Sequence, residues 1–287
     1  MSEQLPFFIN LNGVLKDIST PQVMGILNVT PDSFYAASRQ QTDEAIAARV
    51  RQILDEGASM IDVGAYSSRP GADDVSADEE MGRLAHALDI LRRTAPQAIV
   101  SVDTFRAQVA RHCVEDFGVQ IINDISGGEL DAGMFDTVAR LQVPYILMHM
   151  KGTPRTMQQA PRYDDLLTEM LQYFGRKTEQ LHEMGVKDII LDPGFGFGKT
   201  MSHNYELMQR LQDLRLLGLP LLVGVSRKSM IYRLLGTQPE DALNGTTVLN
   251  TMALMKGASI LRVHDVKAAT EAVRIVQAVK EGPTDNT

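Results

Sequence analysis

The fold is decided by the stretch MGILNVTPDSF, residues 24–34. It begins as a short apolar run, which is typical of a strand buried on both faces, and Asn28 marks the change to a loop that contains Pro31. A buried strand that ends in a polar residue is a common source of functional groups in α/β enzymes. Taken alone, the stretch is equally consistent with a capped strand before a turn. The same pattern, however, recurs about seven more times along the chain.

This recurrence predicts eight strands, each followed by a helix. Short apolar runs alternate with segments whose apolar residues recur at helical spacing, such as Ile46, Val50 and Ile53. Alternation of this kind indicates a parallel sheet, and eight such units match a closed (β/α)8 TIM barrel. A doubly wound open sheet would have fewer units and a glycine-rich first turn, which residues 28–34 lack.

We expect a single domain over residues 1–287, with the barrel over residues 22–281. Two short apolar runs flank Asn12-Gly13, which is a hairpin signal. Residues 6–18 are therefore predicted to form a short N-terminal β-hairpin over one end of the barrel. Residues 282–287 are a polar tail that we expect to be disordered.

Composition argues against several classes of function. A net charge of −8 and a pI near 5.3 disfavour a surface for nucleic acids or anionic membranes. No apolar run approaches about 18 residues and the N-terminus lacks a signal-peptide pattern, so no membrane association is expected. The single cysteine, Cys113, excludes an internal disulfide framework and suits a reducing compartment such as the cytoplasm. Its apolar helical neighbours favour a packing role.

Polar side chains stand at the predicted carboxyl ends of the strands, where a TIM barrel builds its sites. They are Asn28, Asp62, Asp103, Asn123, His149, Asp192, residues 226–228 (Ser-Arg-Lys) and residues 262–264 (Arg-Val-His). A polar residue can stand at a strand end simply because a loop begins there. This explanation suffices for His149, and for Asp62 if its carboxylate bonds only to backbone. It accounts poorly for Asp103, Asn123 and Asp192, because each sits in an otherwise apolar run.

Two kinds of ligand group fit these side chains. The oxygens of Asp103, Asn123 and Asp192 suit clustered N–H donors, and one carboxylate can accept two parallel N–H bonds from an aminopyrimidine ring. The basic side chains suggest an anion nearby, such as phosphate. They are Arg69, Lys228, Arg262 and His264. The predicted pocket is therefore bipolar, with acids for a heterocycle and bases for a phosphate.

Residues 192–200, DPGFGFGKT, look at first like a phosphate-binding loop. The spacing argues against this, because a P-loop needs a glycine five residues before the Gly of Gly-Lys-Thr, and that position is Pro193. We expect instead that the glycines let the backbone approach a flat ligand, with Phe197 as a wall.

The chain resembles the dihydropteroate synthase family over about residues 22–280. The motifs that carry the resemblance occur in the family's order, and together they are specific. They are residues 24–34, 62–72, 101–104, 122–128, 192–199, 226–229 and 262–266. One departure lies in the second motif, where the family commonly has Gly-Gly-Glu-Ser-Thr-Arg-Pro. Here Tyr66 replaces the acid and Ser68 replaces the threonine.

The resemblance implies that (7,8-dihydropterin-6-yl)methyl diphosphate condenses with 4-aminobenzoate and releases pyrophosphate, in folate biosynthesis. It also implies a cytoplasmic homodimer and Mg²⁺ as cofactor, ligated by Asn28 and by diphosphate oxygens. Pterin and diphosphate would be bound by Ser68, Arg69, Asp103, Asn123, Asp192, Lys228, Arg262 and His264. The aminobenzoate would be bound by Phe34, Arg69, Pro70, Phe197 and Ser229.

The catalytic residues implied by the resemblance are Asp103, Lys228, Arg262 and His264. Departure of pyrophosphate needs cations around it, and positive charge at the pterin methylene gains from a nearby carboxylate. No side chain need act as a nucleophile.

Two alternatives remain at this point. A corrinoid or tetrahydrofolate methyltransferase on the same barrel would need no diphosphate cradle, so Arg69, Lys228 and Arg262 argue against it. A non-enzymatic barrel that binds a pterin or a protein partner would not need both the Mg²⁺ and the diphosphate residues. An assay of pyrophosphate release that depends on 4-aminobenzoate separates the three hypotheses.

Overall fold

The computed structural model describes residues 6–30, 39–66, 75–154, 156–157 and 160–282. Ten strands occur in this part of the chain, two in an antiparallel hairpin and eight in one parallel sheet. The hairpin strands are β1 (Phe8–Leu11) and β2 (Val14–Asp17). The strands of the large sheet are β3 (Gln22–Asn28), β4 (Met60–Gly64), β5 (Ile99–Asp103), β6 (Ile121–Asp124), β7 (Tyr145–Met148), β8 (Ile189–Asp192), β9 (Leu222–Val223) and β10 (Ile260–Val263).

The large sheet forms the predicted TIM barrel. Its strand order is β8-β7-β6-β5-β4-β3-β10-β9, and every neighbouring pair is parallel. An isolated bridge between Leu191 and Leu221 joins the two edges of the sheet, β8 and β9. The prediction of eight strands around a barrel is thereby confirmed.

Helices connect the strands and cover the outside of the barrel. The α-helices are α1 (Arg39–Asp55), α2 (Ala77–Thr94), α3 (Ala107–Phe117), α4 (Met134–Leu141), α5 (Leu166–Glu183), α6 (Met201–Gln209), α7 (Ser229–Leu235), α8 (Leu243–Met255) and α9 (Val266–Glu281). Two 3₁₀ helices, Leu211–Leu217 and Pro239–Asp241, lie among them. Residues 76–79, Ser-Ala-Asp-Glu, form a capping-box pattern that predicts the start of α2, and the Ser76 side chain confirms this start by accepting a hydrogen bond from the backbone N–H of Glu79 at 3.2 Å.

Two boundaries differ from the sequence-based prediction. The apolar periodicity of residues 163–184 predicts one long helix, which in the structure begins at Leu166, because the Asp165 side chain caps it by accepting from the N–H of Thr168 at 2.7 Å. The apolar run over residues 220–225 predicts a strand, which in the structure is only the two residues of β9. Pro220 has no N–H to donate, although its carbonyl accepts from the N–H of Leu191 at 2.9 Å.

The hairpin closes the N-terminal end of the barrel. Its turn has left-handed backbone at Asn12 and Gly13, with φ of 52° and 89°. The buried residues Ile9, Leu11 and Ile18 pack in one apolar cluster with residues at the N-terminal ends of the barrel strands. These are Met24, Met60, Ile121, Ile146, Ile190, Leu222 and Ile260. The hairpin prediction is confirmed, and the open end of the barrel is the one at which the strands finish.

Among the described residues, none of the helices combines the length and the apolarity that a bilayer crossing requires. Cys113 is fully buried in α3, and burial raises the pKa of its thiol to about 12. The packing role predicted for it is confirmed. The predicted binding residues Phe34, Ser68, Arg69 and Pro70, and the tail after Gly282, lie outside the described residues.

Candidate active site

Arg262 of β10 links three strands at the open end of the barrel. Its Nε donates to Oδ2 of Asp62 at 2.6 Å, and a terminal nitrogen donates to Oδ2 of Asp103 at 2.9 Å. The amide nitrogen of Asn123 donates to the same Oδ2 of Asp62 at 3.1 Å. We call Asp62, Asp103, Asn123 and Arg262 the acid–arginine cluster. The expectation that Asp62 bonds only to backbone was wrong, because its carboxylate binds two side chains.

The charges of the acid–arginine cluster are coupled. Burial raises the pKa of Asp103, and the Asp62 carboxylate adds to the rise while the Arg262 guanidinium opposes it. Burial alone would lower the pKa of Arg262, but the two carboxylates raise it above its ordinary value, so the guanidinium keeps its charge. Two carboxyl groups therefore share one cation, and an added positive group on a ligand would relieve the imbalance.

A second acid and base lie beside this cluster. Asp192 is buried at the end of β8, and its Oδ1 accepts from the N–H of Gly194 at 2.7 Å. Lys228 precedes α7; its Nζ donates to the carbonyl of Phe195 and lies 4.6 Å from the centre of the Phe197 ring. Burial raises the pKa of Asp192 and lowers that of Lys228 to about 8, and each group opposes the other's shift. The Lys228 side chain therefore contacts the glycine-rich loop and interacts electrostatically with Asp192.

His264 is oriented by Ser226. The Ser226 hydroxyl oxygen accepts from the backbone N–H of His264 at 3.2 Å and lies 3.1 Å from its Nδ1. Burial lowers the pKa of His264 to about 4, and the nearby charge of Arg262 adds to this, so the ring is neutral at pH 7. The hydroxyl of Ser226 can either donate to Nδ1 or accept from it, so the tautomer of His264 sets the direction of this bond. In both cases the bond to Ser226 holds the ring through Nδ1.

Asn28 lies on the strand next to this set. In the sheet register it stands opposite Gly64, which stands opposite Asp103. A Cβ at Gly64 would lie 3.6 Å from Oδ1 of Asn28 and 3.6 Å from Cβ of Asp103, so the glycine leaves open space between them. Within the described part of the chain, no group of three or more His, Cys, Asp or Glu side chains could hold a metal ion. Asn28 is therefore a single oxygen donor, which fits Mg²⁺ that takes its other ligands from phosphate and water.

The two described residues predicted for aminobenzoate binding are both neighbours of Lys228, Ser229 in the chain and Phe197 through its ring. Ser229 is the first residue of α7 and is half-buried. Phe197 is half-buried and packs with an apolar cluster. That cluster consists of Ile125, Met148, Met150 and Met157, with Phe105 at its edge. These side chains give the glycine-rich loop an apolar neighbour on which a flat ring could lie.

Two buried groups were missed from the sequence. Asp124 holds the loop after β6, because its carboxylate accepts from the N–H of Ser126 at 2.7 Å, the N–H of Gly128 at 2.8 Å and the hydroxyl of Tyr145 at 2.7 Å. Lys199 is buried beneath the glycine-rich loop rather than exposed to a phosphate. The signal for both was a charged residue within a run of glycines and apolar residues, where burial is expected.

The chain is similar to known proteins. The family model described as pterin binding enzyme matches residues 24–264. The dihydropteroate synthase of Escherichia coli K12 is 42% identical over 268 residues, which are 93% of this chain and 94% of the relative. That of Haemophilus influenzae is 38% identical over 269 residues, 93% of this chain and 97% of the relative.

Solved structures agree with these relatives. Yersinia pestis dihydropteroate synthase in complex with a sulfonamide drug has a TM-score of 0.88 at 40% identity, over 96% of this chain and 99% of that one. Xanthomonas albilineans dihydropteroate synthase with 4-aminobenzoic acid has a TM-score of 0.87 at 37% identity, over 96% and 99% of the two chains. The chain therefore belongs to the pterin-binding enzymes and, among them, to the dihydropteroate synthase family.

Proposed function

We propose that this chain joins the methylene carbon of a (7,8-dihydropterin-6-yl)methyl diphosphate to the amino nitrogen of 4-aminobenzoate. The bond from the methylene carbon to the diphosphate oxygen breaks, a carbon–nitrogen bond forms, and the amine loses a proton while pyrophosphate departs. The observation that carries this proposal is the acid–arginine cluster, which collects carboxylates and a cation at one mouth of the barrel.

The pterin would be bound by the oxygens of Asp192, Asn123 and Asp103, with Lys228 beside them. Oδ1 of Asn123 and Oδ1 of Asp62 are buried and have no hydrogen-bond partner among the described residues. Buried acceptors without a partner are costly, so N–H donors of a ligand would supply what these oxygens lack. A heterocycle with an amino group and ring N–H groups has donors of this kind.

The leaving group would face Arg262, Lys228 and His264. Ser68 and Arg69 are proposed for the same diphosphate, on the strength of the motif alone. Cationic and N–H donors stabilise the charge that develops on a departing pyrophosphate, and Asp103 stabilises the positive charge that develops on the methylene carbon. The 4-aminobenzoate would lie against Phe197, with its carboxylate at Ser229 and with Phe34, Arg69 and Pro70 around it.

Mg²⁺ is proposed as a cofactor held by Oδ1 of Asn28. When bound, the ion would neutralise charge on the diphosphate. An Asn28→Ala variant should need a higher Mg²⁺ concentration for half-maximal turnover, by about tenfold. Isothermal titration of pyrophosphate with and without Mg²⁺ gives a readout independent of turnover, and an unchanged Mg²⁺ dependence would remove Asn28 from this role.

The test of the reaction is pyrophosphate release by the purified chain. We expect release only when the pterin diphosphate and 4-aminobenzoate are both present, with dihydropteroate formed in equal amount. Methyl transfer from a methylated folate would instead indicate the methyltransferase alternative. Tight pterin binding without any turnover would indicate a binding protein.

We also propose a cytoplasmic homodimer formed through α8 and α9. Helix α8 contains no charged residue, and Val248, Met252 and Met255 on it are exposed. Ile275 and Val279 of the adjacent α9 are exposed as well. A second copy of the chain would cover this apolar face. Light scattering should give twice the chain mass for the wild type, and the mass of one chain for Met252→Glu. Location in the cytoplasm is checked by cell fractionation.

A further inference from the structure

The buried ammonium of Lys199 lies under the glycine-rich loop that follows β8. Only 3% of the residue is exposed. Its Nζ lies 3.0 Å from the carbonyl oxygen of Gly194, 3.1 Å from that of Phe197 and 3.2 Å from that of His149. The fourth neighbour is Nδ1 of His149, at 3.0 Å. An ammonium group has three N–H donors, so these acceptors use all of them.

This lysine has no part in the proposed chemistry, yet its burial is costly. Burial lowers the pKa of Lys199 to about 7. It also lowers the pKa of His149 to about 2, and Lys199 adds to that shift, so the imidazole is neutral and accepts at Nδ1. An apolar side chain would fill the same space without the cost of burying a charge. The contribution of Lys199 to the structure is therefore the set of hydrogen bonds that its ammonium group donates.

The loop needs such bonds because its backbone is intrinsically free. Gly194, Gly196 and Gly198 have φ of 66°, 80° and 60°, and glycine loses more conformational entropy on ordering than any other residue. The glycines are also required by space. A Cβ at Gly194 would lie 2.1 Å from the carbonyl oxygen of His149, and one at Gly198 would lie 2.4 Å from that of Lys151. The loop is therefore pressed against the end of β7.

Lys199 bonds to both ends of the loop, at Gly194 and Phe197, whereas the hydrogen bonds of Asp192 and Lys228 go to its first residues, and Asn204 accepts from the N–H of Gly196 at 2.7 Å. Near Asp192, the N–H of Gly194 bonds to the carboxylate and Lys228 bonds to the Phe195 carbonyl from the ligand side. At Phe197, the backbone N–H bonds within the loop to the Gly194 carbonyl at 3.0 Å. Lys199 holds both ends of that internal bond, because its Nζ donates to the carbonyls of Gly194 and Phe197.

We infer that Lys199 is a positioning residue for the second substrate, which holds the Phe197 ring as the wall of the aminobenzoate site. The inference rests on the proposed function, since it assigns the role of one residue in that reaction. Lys199 touches neither substrate in this scheme; it acts through the loop. The pterin side of the loop keeps its own ties to Asp192 and Lys228, so loss of Lys199 should affect the two substrates unequally.

The test is the Lys199→Met variant, which keeps the length and apolar stem of the side chain and removes the donors. We expect KM for 4-aminobenzoate to rise by at least about tenfold, because small misplacements of a binding group have effects of this size. The affinity for the pterin, measured by calorimetry, should change by no more than about threefold, within ordinary context effects on a binding energy. Hydrogen exchange at the Phe197 amide should become faster.

Two further variants make the result decisive. Lys199→Gln restores neutral N–H donors and should recover part of the affinity for 4-aminobenzoate; it also serves if Lys199→Met does not fold. Lys151→Met is the matched control, because the Lys151 backbone packs on Gly198 of the same loop while its ammonium binds Glu169 and the Arg162 carbonyl at the surface. Its KM for 4-aminobenzoate should stay within about twofold of the wild type.

The outcomes separate the inference from the proposed function. If the wild type shows no turnover, the proposed function fails, whatever the variants do. If the wild type turns over and Lys199→Met has an unchanged KM for 4-aminobenzoate, only the inference is overturned; where Lys199→Met does not fold, an unchanged KM in Lys199→Gln has the same meaning. An equal loss of pterin and aminobenzoate affinity would also overturn it, because that pattern indicates general loosening of the site.

Discussion

The same eight strands form both ends of the barrel, but the side chains at the two ends differ in polarity and charge. At the N-terminal end, the strands contribute apolar side chains that pack around the hairpin residues Ile9, Leu11 and Ile18. At the C-terminal end, they contribute the acid–arginine cluster, Asn28 and Asp192. The first end buries apolar surface and stabilises the fold. The second buries charges and unpartnered oxygens, which lowers stability and is useful only if a ligand binds there.

The comparison predicts that a change at the open end lowers activity and stability together, whereas a change at the closed end lowers stability alone. The largest expected effect is that of Arg262→Gln. It should lower kcat/KM by about 1,000-fold, because a charged donor to the leaving group is lost. It should also destabilise the fold by about 3–5 kcal/mol, since Asp62 and Asp103 are left as unpaired acids. Urea unfolding and steady-state kinetics measure the two effects.

The double variant Asp62→Asn/Arg262→Gln distinguishes the loss of stability from the loss of activity. With one buried acid neutralised, it should regain much of the stability lost in Arg262→Gln and none of the activity. Recovery of both properties would mean that the arginine serves the fold alone.

The next largest effect is expected at the closed end. Ile18→Ala removes a fully buried side chain of the hairpin and should lower the free energy of unfolding by about 2–5 kcal/mol. At a temperature where the variant is folded, kcat/KM should match that of the wild type. The control is Leu15→Ala on the same hairpin, 70% exposed, which should change stability by less than about 0.5 kcal/mol. A loss of activity in folded Ile18→Ala would show that the two ends are coupled.

The smallest effect, counted per pH unit, concerns the titration of Lys199. Burial lowers the pKa of Lys199 to about 7 in the folded chain, below the ordinary value of 10.5. Between these values the unfolded chain binds more protons, so this lysine makes stability rise with pH, by at most about 1.4 kcal/mol per pH unit. Below pH 7 both states are protonated and the slope from this group vanishes. Urea unfolding of the wild type and Lys199→Met from pH 6 to 10 should give curves that diverge above pH 7; parallel curves would refute the shift.

The barrel was predictable because its signals are local. Each strand is a short apolar run, each helix has its own periodicity, and Asn12-Gly13 marks the hairpin. The strand-end residues were found by the same rule, since a polar side chain after a buried strand is visible in the sequence. Even the short strand β9 was located, although its length was overestimated because Pro220 interrupts the ladder.

The contacts between side chains at different strand ends could not be predicted from the sequence. Asp62 and Arg262 are 200 positions apart, and their contact depends on β4 and β10 both flanking β3 in the barrel. Arg262 was therefore expected to face a diphosphate alone, whereas it is also the partner of two carboxylates. Lys199 was missed for a related reason. The packing of the loop on β7 turns its side chain inward, and the residues next to it in the sequence do not indicate this.

The hairpin beneath the barrel also decides how the molecule can be handled. The described chain enters at Pro6 under the closed end, and α9, which starts after β10 at the open end, runs back along the outside toward the same closed end. A tag, a surface linker or a fused domain joined at Pro6 or Gly282 would therefore start on the side away from the substrates. Immobilised through its N-terminus, the molecule should present its open mouth to the solution.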